Sequence, residues 1–170
     1  FIDQMQYSVP AVALKEAARE LTRMGEITLK MLGDSCNALI NLDTSAIQRV
    51  LTHEEELVDP ISKELEHFIN ELMNSDLSQA QRKRCFQLKR LLVDIERIGD
   101  MAEDIAQNAQ ERIQNNVGFS PPAIEELEQL WHHAYRTYEI AVQAISEGDV
   151  EKASMVCQLE SEFDKMYWKV

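Results

Sequence analysis

The chain has 170 residues, with 17 Lys plus Arg against 30 Asp plus Glu, a formal net charge of −13, and only 5 Gly and 4 Pro. So acidic a chain lacks the electrostatic basis for binding a nucleic-acid backbone or an anionic membrane surface, and so few chain breakers cannot supply the turns of a sheet sandwich or barrel. Hydrophobic residues make up 45%, which argues against disorder and provides for a sizeable core.

In chain order, Pro10 opens a block without turn signals to about Asn41, with Leu14, Ala17, Leu21, Met24 and Leu32 at helical spacing. Pro suits a first helical turn, and Ser8 is the expected cap. Asp43 or Thr44 caps a second helix carrying Ile47, Leu51, Val58, Ile61, Leu65, Phe68 and Leu72. Pro60 falls inside that run and predicts a kink rather than an end. Asn74-Ser75-Asp76 is a turn, and Ser78 caps a third helix with Leu88, Leu91, Ile95, Ile98, Ala102, Ile105 and Ile113. Asn115-Asn116-Val117-Gly118 stops it. Ser120-Pro121-Pro122 starts a fourth helix, Gly148-Asp149 is a short turn, and a fifth helix runs on from there.

No strand pattern of period two interrupts this series. Long helices joined by short turns pack antiparallel with their sequence neighbours, so the chain reads as all-α, a bundle of long helices. Leu91-Leu92-Val93 is typical of its short apolar runs, so no segment spans a bilayer. Cys36, Cys85 and Cys157 are far apart and suit neither a disulfide framework nor a zinc ribbon; they read as reduced cytosolic thiols. Both ends, Phe1-Ile2-Asp3 and Tyr167-Trp168-Lys169-Val170, read as cuts in something longer.

The second and fifth helices echo each other. Glu55 and Asp59 map onto Glu160 and Asp164, each pair about three turns beyond a capping Asp, at 43 and 149. Residues 1–118 therefore read as one three-helix unit, and 119–170 as the first two helices of a second unit that lacks its third. That absence would leave Leu130, Tyr138 and Phe163 without a third helix, to be covered by dimerisation, swapping or a displaced fifth helix.

Acids four apart on a helix share a face and can hold a cation through oxygen ligands. Six such pairs occur: Glu16/Glu20, Glu55/Asp59, Glu96/Asp100, Asp100/Asp104, Glu147/Glu151 and Glu160/Asp164. Random placement of as many acids gives roughly five, so spacing alone does not separate a site from a solvated face. Position adds that Glu55, Asp59, Glu96 and Asp100 lie off the apolar stripe, so a metal there would sit on the outer surface of the bundle. Glu64-x-x-His67 matches one half of a di-iron motif, but no second half exists. His53, beside Glu54-Glu55-Glu56, reads as solvated. No nucleophile–base pair or phosphate-cradling glycine loop argues for catalysis, and the chain reads as a non-enzyme.

The most distinctive stretch is Glu96-Arg97-Ile98-Gly99-Asp100, followed by Ala102 and Asp104. Gly99 within a long helix costs about 1 kcal/mol against Ala, which points to close approach of a helix or a ligand. The stretch resembles the signature of PhoU-like phosphate-uptake regulators. That resemblance implies tandem three-helix bundles whose acids hold iron or zinc clusters on the bundle surface. The ligands it carries over are Glu55, Asp59, Glu96, Asp100, Asp104, Glu160 and Asp164, with Asp104 standing where the family often has Asn.

The opening Val9-Pro10-Ala11-Val12-Ala13-Leu14-Lys15-Glu16-Ala17, then Glu20-Leu21 and Met24-Gly25, is similar to the PhoU-like domain that follows the membrane part of bacterial sodium/phosphate cotransporters. The resemblance implies a metal-binding regulatory domain, a homo-oligomer, on the cytoplasmic face of the inner membrane. Its partner would be the transmembrane part of the cotransporter. The alternative is a standalone PhoU-type regulator that contacts a phosphate transporter and a sensor kinase.

Overall fold

The computed structural model describes residues 9–167. They form six α-helices: α1 (Pro10–Asn41), α2 (Thr44–His53), α3 (Asp59–Met73), α4 (Gln79–Asn115), α5 (Pro121–Glu147) and α6 (Val150–Tyr167). A π-helical turn, Glu54–Val58, joins α2 to α3, so these two make one continuous rod and the described residues form five long rods. Ser8, the expected first cap, lies outside the described residues; Val9 holds the N-cap position without a side-chain hydrogen bond.

The remaining joints form where the turn chemistry places them. Asp43 accepts from the backbone N–H groups of Ser45 and Ala46. Ser78 and Gln81 form a reciprocal capping box at the head of α4. Ser120 caps α5 ahead of two prolines. Asn116, with a φ of 52°, closes α4 in the left-handed region. Gly148 does the same for α5 with a φ of 66°, where a Cβ would be strained. The interruption expected at Pro60 lies just upstream, in the π turn. Pro60 stands at the head of α3, where its missing N–H matters least.

Cross-contacts fix the relative directions. Gly25 faces Ile95, Thr28 faces Gly99, and Arg112 donates to the Leu39 carbonyl, so α1 and α4 run parallel. Gly25 also meets Val142, Gly33 meets Tyr135, and Thr28 bonds Tyr138, so α5 runs antiparallel to α1. The α2–α3 rod packs on both α1 and α4. The core among these rods includes Leu21, Met24, Val50, Leu65, Leu72 and Leu88, all essentially inaccessible. Burying such side chains contributes about 1.5–3 kcal/mol each.

The last two helices are held differently. Within α5 only Val142 and Ala144 are buried, and α6 has no buried residue. α6 packs chiefly on α5. His133 on α5 bonds the Leu159 carbonyl at 2.8 Å and stacks on Phe163. Of the three apolar residues expected to want a third helix, Tyr138 is half-buried and bonded to α1. Leu130 and Phe163 are also half-buried.

Candidate metal centre

The π turn decides which acid faces inward. A π turn accommodates one extra residue and rotates everything beyond it relative to an α-helix. Glu54, at its start, is only 6% exposed, whereas Glu55 and Glu56 are exposed. Both carboxylate oxygens of Glu54 are buried without a hydrogen-bond partner, and so is Nδ1 of His53 beside it. His53 is thus partly enclosed rather than solvated. An isolated buried carboxylate resists ionisation, because its charged form has lost water and gained nothing in return.

Other acids crowd the same place. Burial pushes the Glu54 carboxyl up to about 7, and the nearby charges of Asp100, Glu103, Asp59 and Glu96 push in the same direction. Four carboxylates of α3 and α4 are thus near enough for their charge to act on Glu54, and together they form its acidic collar. Asp59 and Glu96 are half-buried, Asp100 is exposed and Glu103 is half-buried. Lys63 is the cation in attendance: its Nζ donates to Asp59 at 2.6 Å, and that bond, helped by the charge of Glu96, holds the ammonium above its ordinary range.

Gly99 makes the inner seat. A Cβ at this position would lie 2.8 Å from Glu54 Oε2, 3.2 Å from Val58 Cγ1 and 3.4 Å from Thr28 Cγ2. The close approach expected at this glycine is thus made by a carboxylate rather than by a bare helix backbone. Neither carboxylate oxygen of Glu54 has a hydrogen-bond partner among the described residues.

The seven acids named from the sequence divide into three groups. Asp59, Glu96 and Asp100 belong to the collar. Glu55 is exposed on the turn, and Asp104 is exposed a helical turn beyond Asp100. Glu160 and Asp164 are exposed on α6, far along the chain; Glu160 borders a hollow of about 330 Å³ with Ile98, Tyr138 and Phe163. Glu54 and Glu103 were not singled out from the sequence. A count could have found Glu54: it follows Asp43 by the same eleven residues that separate Glu160 from Asp149, and Asp149 caps α6 as Asp43 caps α2. Asp59 is one residue further from its cap than Asp164 is from its own, and the π turn holds that extra residue.

The donor chemistry is all oxygen, which suits magnesium, calcium, manganese or iron better than zinc. Among the described residues no three acid, His or Cys side chains converge as a ready-made set of ligands. The fit to a cation rests on the orphaned carboxylate, whose desolvation a positive ion would offset. The half-motif Glu64-x-x-His67 is apart from this: both residues are exposed, and His67 lies 3.4 Å from Glu71.

Comparison with known proteins covers this region directly. The PhoU domain family matches residues 21–109, from α1 through most of α4. A phosphate-specific transport system accessory protein PhoU homolog of Clostridium acetobutylicum is 25% identical over 159 residues, covering 92% of this chain and 71% of that protein. The homolog of Pseudomonas aeruginosa is 23% identical, over 91% of this chain and 63% of its own length. Homolog 2 of Thermotoga maritima is 26% identical, over 92% and 66%. The chain thus spans roughly two thirds of the length of the relatives it matches. A crystal structure of PhoU from Pseudomonas aeruginosa superposes with a TM-score of 0.86 at 22% identity, over 94% of this chain and 75% of that one. Nothing in these matches is specific to a cotransporter domain. Among the described residues no helix is long and apolar enough to cross a membrane.

Proposed function

Because the chain belongs to the PhoU domain family, and so to a class of accessory regulators rather than enzymes, we propose that it modulates phosphate uptake as such a regulator, with a cation at the Glu54 collar as its structural switch point. The observation that carries the reading is that the family match spans Glu54, a buried carboxylate that has no hydrogen-bond partner among the described residues and feels the charge of four others. The relatives are named as accessory proteins of a phosphate-specific transport system, which supports a regulator that contacts a transporter over a cotransporter's own domain.

Glu54, Asp59, Glu96 and Asp100 would hold the ion, with Glu103 adding charge at the rim. Glu55, Asp104 and the α6 pair Glu160 and Asp164 come second in this proposal, since each is exposed and apart from Glu54. Bound, the cation supplies positive charge to a site that otherwise holds only negative groups and a lysine. Glu54 lies in the turn that joins α2 to α3, so its ionisation and the packing of that rod on α4 are linked. The matching caps of α2 and α6 support two units, 1–118 and 119–170, of which the second presents two helices.

The test is phosphate uptake in bacterial cells that lack their own regulator of this kind, with the chain supplied from a plasmid. Restored control of uptake that is lost in Glu54→Gln with Asp100→Asn supports the reading. Uptake unchanged by the wild-type chain overturns it. Metal analysis separates the cation claim: manganese or iron retained by the wild type and lost from the double variant is expected, and equal retention by both would refute it.

A further inference from the structure

α4 carries a second feature, on the face turned away from the core. At about 100° per residue, Lys83, Phe86, Arg90, Val93 and Arg97 fall along one outward stripe, opposite the buried Cys85, Leu88, Leu92 and Ile95. All five are exposed, and Phe86 at 57% and Val93 at 54% are large apolar side chains left in water. α4 packs on α1, α2 and α3, none of which covers this face. Lys83, Arg90 and Arg97 form no ion pair among the described residues, and Arg82 and Lys89 flank the stripe.

The charge here is the reverse of the whole. Residues 79–93 contain Arg82, Lys83, Arg84, Lys89 and Arg90 and no acid, in a chain of net charge −13. Acids return at Asp94, Glu96, Asp100, Glu103, Asp104 and Glu111, so the basic face belongs to the first half of α4 and Arg97 stands at its acidic border. Charges further off than about 8 Å are screened at physiological salt, so the local sign governs a surface contact rather than the total. The composition argument against an anionic surface therefore does not hold for this face.

We propose that the outer face of the first half of α4 docks on an anionic phospholipid surface, with Lys83 and Arg90 among the headgroups and Phe86 and Val93 at the acyl boundary. Alternating cations and apolar groups on one side of a helix is the pattern of interfacial binding, in which Lys and Arg stems lie along the apolar layer and their charges reach the headgroups. Each cation near such a surface strengthens binding about fivefold. The inference does not depend on the phosphate or cation reading, since it uses none of the collar residues.

The experiment is co-sedimentation of the chain with vesicles of phosphatidylcholine and phosphatidylglycerol at seven to three, and with phosphatidylcholine alone, at low and high salt. The expected result is binding to the anionic vesicles that weakens at high salt and is absent from the neutral ones. Lys83→Glu with Arg90→Glu should weaken it more than tenfold. Arg136→Glu with Lys165→Glu, an equal charge change elsewhere, should weaken it far less. Phe86→Ser, with helicity checked by circular dichroism, should weaken it several-fold. Equal loss in both charge pairs, or no sedimentation of the folded chain at low salt, overturns the proposal; the second outcome assigns the stripe to an acidic protein instead.

Discussion

The Glu54 carboxylate fills the space that a side chain at Gly99 would take, with Oε2 only 2.8 Å from where a Cβ would stand. The π turn supplies the carboxylate and the glycine supplies the seat. The two come from α2–α3 and α4, and each makes sense only with the other. Gly99→Ala should therefore push the free end of the Glu54 side chain from its seat, a change set against the helix preference of Ala, about 1 kcal/mol. In a Glu54→Ala background the same substitution meets only Val58 at 3.2 Å and Thr28 at 3.4 Å, contacts that yield with small shifts. A double-mutant cycle by urea unfolding at pH 8 should give a coupling of about 1 kcal/mol or more. Strict additivity would contradict the contact.

The raised Glu54 carboxyl ties stability to pH. Its folded value of about 7 lies above the ordinary 4.5. Its protonated form is thus favoured by folding, so stability is fully present below about 4.5 and is lost as pH rises through about 7. The loss amounts to about 1–3 kcal/mol. Glu54→Gln should flatten this part of the profile and be more stable than the wild type at pH 8. Denaturant midpoints at pH 5 and 8, without added metal, measure it. A parallel decline in both proteins would place the effect elsewhere.

α5 is pinned to α1 through one polar contact. Thr28 Oγ1 donates to backbone carbonyls of its own helix, and Tyr138 Oη lies 2.7 Å from it. Burial pushes the Tyr138 phenol up to about 12, which keeps it protonated as the donor. Tyr138→Phe should cost about 0.5–1.5 kcal/mol by thermal or urea unfolding. No change would show that α5 is held by apolar packing alone.

α6 should be the least protected helix. None of its residues is buried, and its first turn depends on Asp149, which accepts from the N–H groups of Glu151 and Lys152. Amide exchange should be faster in α6 than in α1 or α4, and Asp149→Ala should speed it further by removing a cap worth about 1 kcal/mol. Protection equal to that of α4 would refute this.

Much of the fold was open to reading before the tertiary structure. Pro10, Asp43, Ser78, Ser120 and Gly148 act within a few residues of themselves, through caps, missing donors and positive φ, so their positions mark the helix ends directly. Glu96 and Asp100 were legible as a pair because spacing of four places acids on one helix face whatever the helix packs against, whereas the approach of Asp59 depends on how α3 lies on α4. Glu54 was not, because a π turn depends on the fit of two rods rather than on a local residue preference. The kink expected at Pro60 was the nearest trace of it.

The sequence by itself determined that this chain is all-α, where the helix ends marked by caps and turns fall, and which family's signature it carries, since these follow from local backbone chemistry and helical period. Only the tertiary structure decided which carboxylate is buried, why position 99 is glycine, and which face of α4 stays open. Those depend on the rotation of one helix against another, and a single extra residue in a turn changes it by about 100°.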